Sequence, residues 1–257
     1  MLKKRVIGSI IVKNGWAVQS IGYESYLPLG RPEIIAENLD RWGADEIIIQ
    51  CIDRTKGALG PDFKTIESIA SKGITTPLIY AGGIASSLDC IKVIKSGADR
   101  IAVDEMLRSS PSDLKKAASI LGSQAIVGCL PIGIKGKNIM RLNYLTGELM
   151  GLEKAYLNSI YQSSISELLL IDFKNEGGIQ GSNLKALDLF PTESSKMPLL
   201  YFGGINTHAK AKKVLNKKNI AGVVIGNYLS YKENSIGNFK QSLTGSNIRS
   251  HIFKGAK

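Results

Sequence analysis

Residues 77–84 read Pro-Leu-Ile-Tyr-Ala-Gly-Gly-Ile and residues 198–205 read Pro-Leu-Leu-Tyr-Phe-Gly-Gly-Ile, six identities in eight positions, 121 residues apart in a chain of 257. A repeat at nearly half the chain length means that one supersecondary unit has been used twice. Each copy is an apolar run ending in Gly-Gly, followed by a helical pattern and a second short strand, residues 100–103 or 222–225. Strand, glycine turn, helix, strand is the unit from which parallel sheets are built.

Apolar, β-branched runs recur at residues 6–12, 47–52, 77–81, 100–103, 125–130, 168–171, 199–202 and 222–225. Amphipathic patterns at 33–42, 63–71, 88–95, 112–121 and 209–215 lie between them, with apolar residues at three- and four-residue spacing. Runs that are apolar throughout, not alternately, are buried on both faces, as in a parallel sheet. Eight such units dividing four and four predict a single-domain α/β protein, a closed (β/α)8 TIM barrel. Its two similar half-barrels would cover about 1–122 and 123–245, with a basic C-terminal tail at 246–257. Residues 134–146 depart from the pattern and predict a small hairpin inserted after the fifth strand, on the rim where loops carry function.

Composition narrows the function classes. No run of about 18 apolar residues exists, and Met1-Leu2-Lys3-Lys4-Arg5 leads into a strand pattern without a cleavage site. A cytoplasmic protein with no membrane partner is expected. Cys51, Cys90 and Cys129 are odd in number and far apart, which fits core packing better than disulfides or zinc. With His208 and His251 the only histidines, no ligand spacing suits a metal, and no cofactor is expected. The formal charge of +11 comes from lysines scattered over predicted helix faces, clustered only at Lys217-Lys218 and 249–257. That distribution favours an acidic partner protein or an anionic small-molecule substrate over nucleic acid.

In such a barrel the site is made by the loops after the strand C-termini. Gly82-Gly83 and Gly203-Gly204 follow the third and seventh strands, where backbone N–H groups at a helix start can cradle an anion; the alternative is two tight turns that need positive φ. Asp53 and Asp172 end the second and sixth strands, each a candidate general base or a cap for the following loop. Lys13 and Lys174 could meet an anionic substrate or be solvated. His208 reads as a first-turn polar residue, and Cys129 has no histidine near it in sequence to activate it.

Residues 2–15, Gly43-Ala44-Asp45-Glu46, Gly82-Gly83-Ile84, Gly97-Ala98-Asp99-Arg100, Gly122-Ser123-Gln124-Ala125 and Gly-Gly-Ile-Gln-Gly at 177–181 together resemble the cyclase subunit of imidazole glycerol phosphate synthase, nearly end to end. The resemblance implies a doubled (β/α)8 barrel that takes ammonia from a separate glutaminase subunit, through the barrel, to a substrate at the opposite rim, where the imidazole ring of histidine is closed. It places the two catalytic aspartates of that family on Ile11 and Pro131, and neither residue can transfer a proton. At the fourth-strand phosphate turn it places Asp104-Glu105 where small neutral residues are expected, and carboxylates repel phosphate. Anion binding is therefore expected at Gly203, Gly204, Gly226, Asn227 and Gly177, and only residually at Gly82 and Gly83. The loop after strand six, Phe173-Lys174-Asn175-Glu176-Gly177, is also altered.

The ring of four charged residues that gates ammonia in that family falls on Arg5, Glu46, Arg100 and Glu167, all with the charge sign kept; ion pairing that only stabilises the barrel is the alternative. An ammonia entrance beside a rewritten acceptor end resembles the cyclase-like subunits found with surface-polysaccharide genes. Those help convert an acetamido sugar to an acetamidino sugar, with a glutaminase-like subunit and a separate ATP-dependent amidotransferase. The expectation is an ammonia-accepting or ammonia-channelling subunit in a heterodimer with a glutaminase. Two alternatives stand beside it: a genuine cyclase and lyase of histidine biosynthesis, and a non-catalytic scaffold that activates the glutaminase.

Overall fold

The structure, a computed structural model, describes residues 3–178, 184–191, 196–243 and 245–250. Residues 179–181 of the Gly-Gly-Ile-Gln-Gly segment, His251 and the basic tail from 251 onward lie outside the described residues. The strands are β1 (Arg5–Lys13), β2 (Trp16–Ile21), β3 (Ser25–Gly30), β4 (Glu46–Cys51), β5 (Leu78–Ala81), β6 (Arg100–Val103), β7 (Ile126–Lys135), β8 (Asn138–Asn143), β9 (Glu148–Gly151), β10 (Glu167–Asp172), β11 (Leu199–Phe202) and β12 (Ile220–Ile225). The helices are α1 (Pro32–Arg41), α2 (Phe63–Ala70), α3 (Ser87–Lys95), α4 (Glu105–Ser109), α5 (Pro111–Leu121), α6 (Lys154–Tyr161), α7 (Lys185–Leu189), α8 (His208–Leu215) and α9 (Ser235–Ser242).

Eight parallel strands close in the order β1-β4-β5-β6-β7-β10-β11-β12 and back to β1. This is the expected (β/α)8 barrel, and every predicted apolar run is one of its strands. Alternation along each strand sorts the core in two: Ile7, Ile48, Ile79, Val127, Leu169, Leu200 and Val224 fill the barrel, while Val6, Ile47, Leu78, Ile126 and Leu168 meet the helices. Cys51 and Cys90 sit in the outer layer and Cys129 in the inner one, all buried and unpaired. Among the described residues no helix is long and apolar enough to cross a membrane, and no group of His, Cys, Asp and Glu could hold a metal ion.

The repeat is reproduced in detail. Gly82 and Gly83 have φ of 126° and 69°, Gly203 and Gly204 of 123° and 70°. A Cβ on Gly82 would lie 2.3 Å from the Cys51 carbonyl oxygen, and one on Gly203 2.5 Å from that of Asp172. Only glycine fits where the turn crosses a neighbouring strand end so closely. Gly82→Ala and Gly203→Ala are each expected to destabilise the fold by at least about 1–3 kcal/mol, the cost of a strained backbone residue. The measurement is the urea midpoint at unchanged slope; equal losses would show that the two turns remain mechanical equivalents.

Two antiparallel extensions rise from the C-terminal rim. β7 runs on past the barrel and turns at Gly136 into β8 and then β9, so the hairpin expected at 134–146 is a three-stranded structure ending at Gly151. The other was not anticipated. β1 continues to Lys13, turns at Asn14-Gly15 with φ of 51° and 76°, and pairs with β2, which pairs with β3. Positive φ at both central residues is the two-residue hairpin geometry that Asn-Gly favours.

Candidate functional site

Arg5, Glu46, Arg100 and Glu167 are the first residues of β1, β4, β6 and β10, each two residues before an inward-facing Ile7, Ile48, Ala102 or Leu169. Strand alternation therefore turns all four side chains into the N-terminal end of the barrel. There they form a closed ring of alternating sign. Arg5 Nη1 donates to both carboxylate oxygens of Glu46 at 3.0 Å and to Glu167 Oε2 at 3.2 Å, and Arg5 Nη2 pairs with Glu167 Oε1. Arg100 Nη1 reaches Glu46 Oε1 at 3.2 Å and Glu167 Oε2 at 2.8 Å. Arg100 is aimed by bonds from Nε to Gln124 O and from Nη2 to Ser166 Oγ, both 3.0 Å. Burial alone would push Glu167 up, but the hydrogen bond and charge of Arg5, joined by Arg100, hold it below the usual carboxylate range. Burial likewise opposes the charge of Arg5, and Glu167 and Glu46 outweigh it, raising its pKa. Glu46 and Glu167 are 121 residues apart, the repeat distance, while both arginines come from the first half.

Above the ring the lumen is apolar, and then polar at one level. Gln50 Nε2 donates to Ser9 Oγ at 2.8 Å, and the Tyr23 hydroxyl reaches down from the β2–β3 connection to donate to Gln50 Oε1 at 3.0 Å. Tyr23, Tyr26 and Phe173, all partly buried, pack on the inner cluster. Cys129 lies in the same cluster, its thiol pushed well up by burial and so held protonated. Ile11 lies near the C-terminal end of β1 and Pro131 midway along β7, opposite Ile171 near the end of β10; both are buried.

Glu176 fastens the hairpin. Its carboxylate accepts from Ser20 Oγ at 2.8 Å and from Tyr23 N at 3.1 Å, and its carbonyl accepts from Gly22 N at 2.9 Å. Burial pushes Glu176 up to about 7, with the Ser20 and backbone bonds pulling the other way. A carboxyl whose pKa is raised in the folded state binds its proton more tightly there, so stability falls as pH rises from the ordinary carboxylate range towards 7. Wild type is expected to lose up to on the order of 3 kcal/mol across that interval. Glu176→Gln, which keeps the acceptor oxygen, is expected to remove this share of the dependence and leave the share of Asp104, also raised to about 7, as read by urea unfolding at about pH 5 and about pH 8.

The two glycine turns have different surroundings. Gly83 N donates to Thr55 Oγ1 at 2.9 Å, and a Cβ on Gly83 would overlap Gly60 O, so the chain's own loop lies on the first turn. Beside it Asp104, at the N-cap of α4 without a capping bond, is pushed up to about 7, by burial first and by Glu105 against the pull of Arg108 and Arg141; Glu105 pairs with Arg108. On the other side Gly177, Asn227 and Ser20 meet: Asn227 Nδ2 donates to Ser20 O at 2.7 Å, and Gly177 lies against both. Gly226 lies against Phe202, the residue before Gly203. Thr207 caps α8, and His208 packs against Phe239 and Tyr228 at ring distances of 4.9 and 6.0 Å.

Three of the remaining four candidates are tied to structure. Asp53 accepts from Asn14 N at 2.9 Å, holding the β1–β2 turn. Asp172 is 1% exposed, turned out of the lumen, and accepts from Tyr201 Oη at 3.0 Å and Asn175 Nδ2 at 2.8 Å. Its counterpart in the first half is Cys51, which meets Gly82 as Asp172 meets Gly203. Lys13 stacks 3.7 Å over the Tyr26 ring, and Lys174 is exposed. Sequence reasoning passed over Gln50, Tyr23 and Glu176. The available signals were the Asn14-Gly15 turn and the isolated polar residues Ser9 and Gln50 inside apolar runs.

The sequence profile described as histidine biosynthesis protein matches residues 5–235. The chain is 30% identical over 234 residues to the protein of Campylobacter jejuni named "Putative imidazole glycerol phosphate synthase subunit hisF2", covering 90% of this chain and 92% of that one. A Vibrio vulnificus protein of the same name is 30% identical over 207 residues, 80% and 75% of the two chains. The imidazole glycerol phosphate synthase subunit HisF of Bacillus cereus (strain AH187) is 25% identical over 254 residues, 96% and 98% of the two chains.

Proposed function

The chain belongs to the histidine biosynthesis protein family, and within it we propose that it is the ammonia-carrying subunit of a glutamine-dependent amidotransferase, paired with a glutaminase, that has given up imidazole ring closure. The observation that carries this is the contrast between the two ends of the barrel. The N-terminal end keeps a complete ring of two guanidinium and two carboxylate groups, each bonded to the next. At the C-terminal end, Ile11 and Pro131 stand where the family's proton-transferring aspartates are expected, and Tyr23, Tyr26 and Phe173 pack on the inner cluster. An apolar lumen suits neutral ammonia, whereas an ammonium ion would have to shed its hydration at high cost.

The acceptor is proposed to be an acetamido sugar destined for a surface glycan, amidinated in the cytoplasm by a separate ATP-dependent enzyme. Phosphate of a nucleotide-activated sugar would meet the side with Gly203, Gly204, Gly226, Asn227 and Gly177 and not the first glycine turn, where the loop at Gly60 lies on Gly83. With a glutaminase subunit from the same organism, the chain is expected to elute as a heterodimer in size-exclusion chromatography with light scattering. Failure to associate with any glutaminase subunit of that organism would contradict the pairing.

A further inference from the structure

The barrel wall is interrupted between β1 and β12. β1 and β12 cease pairing at Gly8↔Ile225; beyond that point β1 pairs with β2 instead, and the chain turns away at Gly226 with φ −108° and ψ −110°. Between the parting strands lies a cavity of about 160 Å³. It is lined by Ser9 and Ile11 on the inward face of β1 and by Ile10, Leu39 and Trp42 on the face towards α1, so it reaches both sides of the barrel wall. Leu29 of the hairpin and Ser230, both exposed, stand among its outer residues.

We infer that ammonia leaves the barrel sideways, through this cavity between β1, α1 and the turn at 226–230, and not along the axis. The inference rests on the ammonia-carrying reading and adds the route. Three features support it. The Tyr23 hydroxyl, bonded to Gln50 inside the barrel, and the Tyr26 and Phe173 rings packed on the inner cluster stand in the axial way. Ser9 stands at the inner end of the cavity; its oxygen accepts from Gln50 Nε2, which leaves its O–H to donate to the lone pair of ammonia. An ammonium ion has no such lone pair. Finally, no ionisable side chain among the described residues lines the cavity, so a neutral molecule meets neither a charge to protonate it nor one to hold it. A water-sized molecule takes about 30 Å³ of liquid volume, so there is room for a short file.

The test has two arms. The first uses crystals of the chain under xenon pressure, since xenon enters apolar cavities regardless of what the barrel carries. Xenon is expected between Ile11, Leu29 and Leu39 in wild type and absent in Leu29→Trp; no xenon there in wild type would overturn the route. The second uses the complex of chain, glutaminase and acceptor enzyme, given [amide-15N]glutamine in a buffer containing unlabelled ammonium. Ser230→Phe and Leu29→Trp are expected to lower the labelled fraction of product several-fold with glutamine hydrolysis unchanged, while Ser230→Ala and Leu29→Ala keep it. If the bulky variants change nothing while Arg5→Ala dilutes the label, the lateral route fails and the channel stands. If neither dilutes it, the ammonia-carrying reading fails as well.

Discussion

A strain that cannot make histidine for lack of the cyclase subunit is expected not to grow when supplied with this chain. Closing the imidazole ring requires protons to be moved, and a positioned general acid or base contributes about 10²–10⁴-fold. Losing two such groups takes the rate below what growth needs. Ile11 is 4% exposed in the strand end where one aspartate is expected, and Pro131 is paired in the β7–β10 ladder where the other is expected. Among the described residues no neighbouring carboxylate takes their place: Asp53 is engaged with Asn14, Asp172 with Tyr201 and Asn175 outside the lumen, and Glu176 with the hairpin. Asp104 follows the fourth barrel strand, beside Glu105 and Arg108. The measurement is growth without histidine beside a functional cyclase control; growth would mean that Ile11 and Pro131 do not disable the reaction.

Arg5→Ala is expected to destabilise the barrel by about 3–5 kcal/mol, the usual result of removing one partner from a buried ion pair. Arg5 bonds to both Glu46 and Glu167, and without it two nearly buried carboxylates share Arg100 alone. The pH dependence has a definite sign. In wild type Glu167 has a lowered pKa, so its stabilisation is complete above the ordinary carboxylate range and is lost as pH falls through the lowered value. In Arg5→Ala Glu167 loses the partner that does most to hold its pKa down and accepts a proton more readily, so the deficit relative to wild type is largest near neutral pH and shrinks in acid. Urea unfolding at several pH values checks both statements. A deficit that did not shrink would point to lost packing, not an unpaired charge.

The doubled barrel could be read from the chain because its repeat is local: eight contiguous residues recur, and the glycines recur with the same φ values. The ring could be read only through resemblance, since nothing in the sequence around Arg5 or Glu167 announces that they meet across 162 positions. The mouth was hidden for the same physical reason. Ser20 and Glu176 are 156 residues apart, and neither is remarkable until the hairpin folds back. Lys240, with its ammonium on Asp45 Oδ1 and Gly43 O at 2.7 Å, reads in sequence as one more surface lysine, yet it is buried and ties α9 to the start of β4. The hairpin itself was within reach, because Asn14-Gly15 has the chemistry of a two-residue turn. It was obscured by an apolar run that serves the barrel first and the hairpin afterwards.

The most direct test of the central claim is the origin of the transferred nitrogen. With the chain, its glutaminase and the acceptor enzyme assembled, [amide-15N]glutamine is supplied in a buffer rich in unlabelled ammonium, and the isotope in the product is read by mass spectrometry. Delivery through the barrel predicts product labelled from glutamine, undiluted by the ammonium outside, and diluted once Arg5 is replaced by Ala. Product whose label simply follows the bulk ammonium, with the ring intact, would contradict it.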